Sequence, residues 1–170
     1  SQDPAIKEAI AAGIKVVLFN AGTGEKAAEL GAINYVGTDE YTAGLAGGEY
    51  LAKKGAKHGI CINTLPGAAN IEARCKGMID AMTKAGATAE QLPLPTTTFG
   101  DPVAIAEAVK ATITSKGDID GALAIGAGDA DAAAVGIAQA GKTGKVLLGC
   151  FDFNETALNR IKSGEQLFAI

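Results

Sequence analysis

Residues 121–151 read GALAIGAGDADAAAVGIAQAGKTGKVLLGCF, and their order decides the fold. The apolar run GALAIGA (121–127) has the composition of a strand, and the small residues of 129–140 follow as a helix that stops at Gly141. A second apolar run, KVLLGCF (145–151), comes next. Strand, helix and strand in about thirty residues make a parallel βα unit. A run as apolar as VLLGCF suits a strand covered on both faces. The same stretch holds a false lead, because GIAQAGKT (136–143) fits the phosphate-loop pattern G-x-x-x-x-G-K-[ST]. A phosphate loop must follow a strand and open a helix, so that backbone N–H groups and the positive helix end face the anion. Here the glycines lie inside and at the end of a helix. Gly141 is placed as its C′ glycine, and Lys142 stands by the negative end of the dipole. Nucleotide binding is not expected.

The alternation continues in both directions. Downstream, a helix over 154–164 should turn Leu158 and Ile161 inward, and QLFAI (166–170) forms a last strand. Upstream, Asp101-Pro102 opens a helix carrying Ile105, Val109 and Ile113, preceded by the strand QLPLP (91–95). A helix over 68–85 carries Ile71, Cys75, Met78, Ile79 and Met82 at helical spacing, after the strand GICINTL (59–65). A helix over 40–54 has Tyr41, Leu45, Gly48 and Leu51 on one face. Before it, Asp3 is placed as the N-cap of a short helix with Pro4 at its first position. IKVVLFN (14–20) is expected as a buried strand, followed by a flexible glycine loop and the strand INYVG (33–37). The fold class is α/β, a doubly wound three-layer sandwich with a mainly parallel sheet. The prolines of QLPLP cannot donate to a ladder, which puts that strand at an edge and suits a strand order of 2-1-3-4-5. The elements at each end suggest a piece of a longer α/β protein.

Composition narrows the function. The 170 residues are 48% hydrophobic and 20% charged, with a net charge of −4. The Lys and Arg residues are scattered, which excludes the basic patch of a nucleic-acid binder and the basic face of a membrane-surface helix. No apolar run reaches the length of a membrane span. Three Cys with no metal spacing read as buried thiols, and the single His58, at the start of a strand, reads as exposed. GTGEKA (22–27) resembles part of a dinucleotide fingerprint, but Gly31 arrives too soon for a crossover helix. DADAA (129–133) resembles a phosphatase start, yet these aspartates fit a helix N-terminus more simply. No cofactor is expected.

In an open α/β sheet the ligand sits beyond the carboxyl ends of the strands. Those ends hold Asn20, residues 65–70, residues 96–99, residues 126–129 and Asp152. They offer amides, hydroxyls, an aromatic and a few acids, without the paired acid and base of catalysis. Such a set suits a polyol. Arg74, one turn into its helix, can reach the same edge. Asp152 stands out because it directly follows a buried strand and precedes a separate cap, Asn154.

The segments VVLFNAG (16–22), YVGTDEYTAGLAGGEYLA (35–52), ANIEARCKGM (69–78), TTFGDP (97–102), LLGCFDFN (147–154) and IKSGEQLFAI (161–170), taken in order, resemble the sugar-binding periplasmic proteins of ABC transporters. The group is the type I, ribose-binding-like one. The resemblance implies two α/β lobes joined by three crossovers, closing on a sugar. It places residues 1–37 at the end of the N-terminal lobe with the first crossover, and 38–170 as the C-terminal lobe. It implies ligand contacts at Asn20, Arg74, Phe99 and Asp152, and less directly at Asp129, where the family carries an amide nearby. Ribose-type members have an Asp-Arg pair where this chain has Phe19-Asn20, so a ligand other than plain ribose is expected. The implied partners are a sugar or polyol and a transporter permease, without nucleic acid or direct membrane insertion, and the implied location is the periplasm. The alternatives are the effector domain of a LacI-type repressor, which shares the fold, and a small phosphatase using Asp129 and Asp131.

Overall fold

A computed structural model describes residues 2–170. The first part of the chain is a small parallel unit: α1 (Asp3–Ala11), β1 (Val17–Phe19), α2 (Gly24–Leu30) and β2 (Asn34–Val36), with β1 paired to β2. The rest alternates as α3 (Glu40–Lys53), β3 (His58–Asn63), α4 (Ala69–Lys84), β4 (Thr88–Pro93), α5 (Pro102–Lys116), β5 (Gly121–Ala124), α6 (Ala127–Gln139), β6 (Leu147–Cys150), α7 (Glu155–Ser163) and β7 (Phe168–Ala169). These strands form one parallel sheet ordered β4-β3-β5-β6-β7, which is the 2-1-3-4-5 arrangement, with the proline-bearing strand at the edge.

Successive strand residues point to opposite faces, and each face has its own core. Ile60, Ile62, Ala122, Ala124, Leu148 and Cys150 pack under α5, α6 and the start of α7. Cys61, Leu123, Ile125 and Phe151 pack under α3 and α4. The helices of each layer are held close by glycine. A Cβ on Gly44 would run into the Arg74 carbonyl, one on Gly77 into the Tyr41 carbonyl, and one on Gly136 into the Ala106 carbonyl. The packing face of α3 is therefore Gly44, Gly47, Gly48 and Leu51, while Tyr41 stays 37% exposed.

Helix ends obey the local chemistry. Asp101 accepts from the N–H groups of Val103 and Ala104, and Asn154 accepts from that of Ala157. Gly141, at φ 68°, ends α6, and Lys142 N–H closes back on the Ile137 carbonyl. The phosphate-loop lookalike is thus the tail of a helix.

Several expectations are corrected. The strand of 14–20 is not buried: Val17 and Phe19 are exposed, as are Ile33 and Val36 beside them, because nothing among the described residues covers that face. The glycine loop contains a real helix, α2, capped by Thr23 and closed by Gly31 at φ 82°. Gln2, not Asp3, stands at the N-cap of α1, and Asp3 instead pairs with Lys26 at 2.8 Å. In α7 the inward residues are Ala157 and Arg160, and Leu158 is exposed. The helix is rotated because Arg160 turns in to meet Asp131 at 2.6 Å and Gln166 at 3.0 Å.

The cysteines are not three thiols. Cys61 and Cys75 form a disulfide, since β3 and the inner face of α4 bring their Cα atoms to 5.4 Å, within bridging reach. Cys150 is free and buried. His58 is not an exposed side chain either. It is only 18% exposed and lies between Glu90 and Asp118, each 3.0 Å away.

Candidate ligand-binding site

Three strand ends meet at the carboxyl edge of the sheet: β3 running into Thr64, β5 into Ile125-Gly126, and β6 into Phe151-Asp152. Arg74 reaches this edge from the second turn of α4. Its Nε donates to Glu40 Oε2 at 2.5 Å, its second terminal nitrogen to Glu40 Oε1 at 3.1 Å, and its first to the Ile125 carbonyl at 2.6 Å. The guanidinium lies 4.2 Å from the centre of the Phe151 ring. Both partners of the Arg74–Glu40 pair are buried. The pair is electrically balanced, and the planar guanidinium divides its donors between Glu40 and the Ile125 carbonyl.

Asp129 and Asp152 flank the same point. A Cβ placed on Gly126 would lie 3.3 Å from Asp129 Oδ2 and 3.9 Å from Asp152 Oδ2. Asp129 lies in the first turn of α6 and does not cap it; the cap position is Gly126. Burial pushes its carboxyl above the usual range, opposed by a hydrogen bond from Thr64 Oγ1 at 3.3 Å. Asp152 is held at φ 59°, donates its N–H to the Ile170 carbonyl at 3.0 Å, and receives the Cys150 thiol on its own carbonyl at 3.2 Å. Its side chain is left facing outward. Asn20 and Asp152 are the two non-glycine residues with positive φ among the described residues. Asn and Asp tolerate that region better than most, but such conformations gather where a site needs a side chain aimed in one direction.

The five residues expected at the site do not all meet. Arg74, Asp129 and Asp152 converge at the ends of β5 and β6. Phe99 follows a single 3₁₀ turn after the edge strand and is 58% exposed, with no ring contact to the others. Asn20 ends β1 in the separate two-stranded unit, where its carbonyl accepts from the Tyr35 hydroxyl at 2.9 Å. A cleft of about 770 Å³ opens beside the Arg74–Glu40 pair, between α2 and the starts of α3 and α4, lined by Thr23, Tyr35, Thr38, Glu40, Tyr41 and Asn70 among others. None of the five residues lines it. It lies between the small unit and the larger layer and adjoins the strand-end cluster through Glu40, the partner of Arg74.

Sequence reasoning missed Glu40, Thr64 and Phe151. Glu40 had a signal, an acid directly after the cap Asp39, and Phe151 had its place before Asp152. Asp131 is drawn away from Asp129: it pairs with Arg160 and accepts from Asn154 Nδ2 at 2.8 Å. The two aspartates therefore share no centre, and no group of three metal-binding side chains occurs among the described residues. No helix among them is long and apolar enough to cross a membrane.

The periplasmic binding protein domain model matches residues 1–170, the whole chain. The chain belongs to this family. Among solved structures it is similar to a carbohydrate transporter from Acidothermus cellulolyticus 11B in complex with myo-inositol, at 32% identity and a TM-score of 0.87, covering 96% of this chain and 54% of that one. It is also similar to an arabinose-binding protein from Geobacillus stearothermophilus, at 25% identity and a TM-score of 0.74, covering 96% and 55%. A glucose-galactose binding protein from the same organism shares the fold at 23% identity and a TM-score of 0.81, covering 96% and 57%. This periplasmic binding protein chain thus spans little more than half the length of these relatives. No curated protein matches it.

Proposed function

We propose that the chain is part of the solute-binding component of an ABC transporter, taking a monosaccharide or related polyol at the carboxyl edge of its sheet. The observation that carries this reading is the convergence of Arg74, Asp129 and Asp152 on one strand edge, a set that donates to and accepts from hydroxyls. The similar Acidothermus cellulolyticus protein was solved with myo-inositol, a polyol, and supports the ligand class. In this reading residues 38–170 act as one lobe, and residues 1–37 belong to the end of the other lobe and the first crossover. Closure of the two lobes buries the ligand, and the permease reads the closed form. Asn20 and Phe99 come onto the ligand from the flanks of this cluster on closure. The protein binds and does not catalyse.

The buried Cys61–Cys75 disulfide supports an oxidising compartment, the periplasm, over the cytoplasm of a LacI-type repressor. The test is a thermal-shift panel on the full-length protein, with pentoses, hexoses, inositols, ATP with magnesium, and NAD. A ligand that binds only the folded state adds about 2.7 kcal/mol at a hundredfold excess over Kd. A shift with a neutral polyol and none with nucleotides is expected. No shift with any polyol overturns the reading.

A further inference from the structure

The turn that carries Asp152 is held by a ring of side chains outside the proposed contact set. Arg160 of α7 donates from Nε and from one terminal nitrogen to Gln166 Oε1, at 3.1 and 3.0 Å. Gln166 Nε2 donates to Cys150 Sγ at 3.0 Å and to the Phe168 carbonyl at 2.9 Å. The Cys150 thiol donates to the Asp152 carbonyl at 3.2 Å. Further along the turn, Asn154 Nδ2 donates to Asp131 Oδ2 at 2.8 Å, and the other oxygen of Asp131 lies 2.6 Å from Arg160. The ring thus closes on α6, the helix that carries Asp129. Its donors run in one direction, from the Arg160 guanidinium to the Asp152 carbonyl, and such bonds polarise one another. Gln166 has one orientation open to it, because Arg160 takes its oxygen and leaves its nitrogen for the sulfur. Burial pushes the Cys150 thiol up, so the sulfur keeps the proton it donates.

Cys150 and Gln166 are both buried, and apolar side chains could fill their places without the cost of desolvating polar groups. The ring ends instead on the backbone of a ligand-facing residue at φ 59°. The Asp152 N–H is bound to the Ile170 carbonyl at 3.0 Å and its own carbonyl to Cys150, so the peptide planes on both sides of its Cα are fixed. Fixing both planes sets φ and ψ, and with them the direction of the Cα–Cβ bond. We propose that Cys150, oriented by Gln166 and Arg160, is a positioning residue for ligand binding: its thiol holds Asp152 in the left-handed conformation that aims the carboxylate at the ligand, before the ligand arrives. The inference rests on the reading that Asp152 contacts a polyol at this edge. An Asp152 free to leave that conformation lowers the affinity by the fraction of molecules in which it is misplaced.

The test uses the full-length protein and its Cys150→Ala and Cys150→Ser variants, titrated calorimetrically with myo-inositol and neutral hexoses and pentoses. Alanine removes the donor, and serine restores one. For whichever polyol the native protein binds, Cys150→Ala should bind about three- to tenfold weaker, the worth of one hydrogen bond, and Cys150→Ser should recover to within about twofold. A role confined to the fold would lower the melting temperature of Cys150→Ala and leave its affinity alone, and that result overturns the proposal. So does a serine variant as weak as the alanine one, because the sulfur would then act by packing. The infrared S–H stretch needs no alanine variant. Assigned by its loss in Cys150→Ser, the band should lie at the lowered frequency of a hydrogen-bonded thiol in the unliganded native protein. A band at the free-thiol frequency overturns the proposal even if Cys150→Ala folds poorly. Binding of no polyol by the native protein overturns the underlying site reading, and this proposal with it.

Discussion

The two ends of the same five strands handle charge in opposite ways. At the amino ends a cluster of charges is mutually paired. His58 lies 3.0 Å from both Glu90 and Asp118, Lys116 lies 2.6 Å from Glu90, and the Asp120 carboxylate accepts the backbone N–H groups of Lys57 and His58 at 2.8 Å. At the carboxyl ends Asp152 is held at φ 59° with its side chain outward, and Asp129 is buried against one weak donor. Both ends draw on the same sheet and the same helix layers, so the difference is not one of scaffold quality. The amino end uses polar groups to hold loops together. The carboxyl end leaves Asp129 with one long hydrogen bond and holds Asp152 at a positive φ, a local cost to stability that the proposed site would turn to ligand binding.

One exception at the carboxyl end should behave like scaffold, and it carries the largest expected effect. Glu40→Ala leaves Arg74 as an unpaired buried charge and should cost about 3–5 kcal/mol in urea unfolding. A loss below about 1 kcal/mol would mean that water reaches the guanidinium and that the pair is not buried in solution. Next is the disulfide, which ties the middle of β3 to α4 and belongs to neither end. Removing it with Cys61→Ala and Cys75→Ala together releases a 14-residue separation and should cost about 3 kcal/mol. Equal melting of the oxidised and doubly substituted proteins would contradict the bridge.

The third prediction reverses sign. Asp152→Gly relieves a positive-φ residue and should stabilise the unliganded protein by about 1 kcal/mol while removing ligand affinity. Asp129→Asn should act in the same direction, with a pH signature. Burial raises the Asp129 carboxyl in the folded protein, so its contribution to stability is present below its ordinary value and lost as pH rises through the raised one. The Asn variant should therefore melt above the native protein at neutral and alkaline pH, and gain least in acid. A variant that melts lower at neutral pH would show that Asp129 is structural.

The smallest effect is expected at the amino end. Burial lowers the His58 pKa, but hydrogen bonds to Asp118 and Glu90 outweigh it and hold the value above the ordinary 6.5. The imidazolium stabilises the fold below that ordinary value, and the contribution fades as pH rises through the folded one. His58→Gln should melt below the native protein at pH 6, and the difference should close in alkaline buffer. A constant difference across pH would assign His58 a packing role.

Much of this arrangement was legible before the structure, and for local reasons. Two prolines put QLPLP at an edge, and Asp101, Asn154 and Gly141 punctuated helices through their own side chains or backbone freedom. Asp152 was visible because a polar residue between a buried strand and a separate cap has no local task. The misses depended on neighbours distant in sequence. The strand of 14–20 has the composition of a buried strand, and only its surroundings leave Phe19 open. Cys61 and Cys75 sit on different elements, and their pairing depends on how α4 lies across β3. In α7 the hydrophobic pattern favoured Leu158, but a half-buried ion pair with Asp131 and a hydrogen bond to buried Gln166 turned Arg160 inward. Glu40 and Arg74 lie 34 positions apart and meet because Gly44 and Gly77 let α3 and α4 touch backbone to backbone.

The most direct test is a paired measurement on the full-length protein and its Asp152→Gly variant: calorimetric titration with myo-inositol and neutral hexoses and pentoses, alongside the melting temperature without ligand. The account predicts binding of at least one polyol by the native protein, loss of that binding in the variant, and a higher melting temperature for the unliganded variant. A variant that binds the same polyol with unchanged affinity would contradict the assignment of the ligand to the carboxyl ends of the sheet.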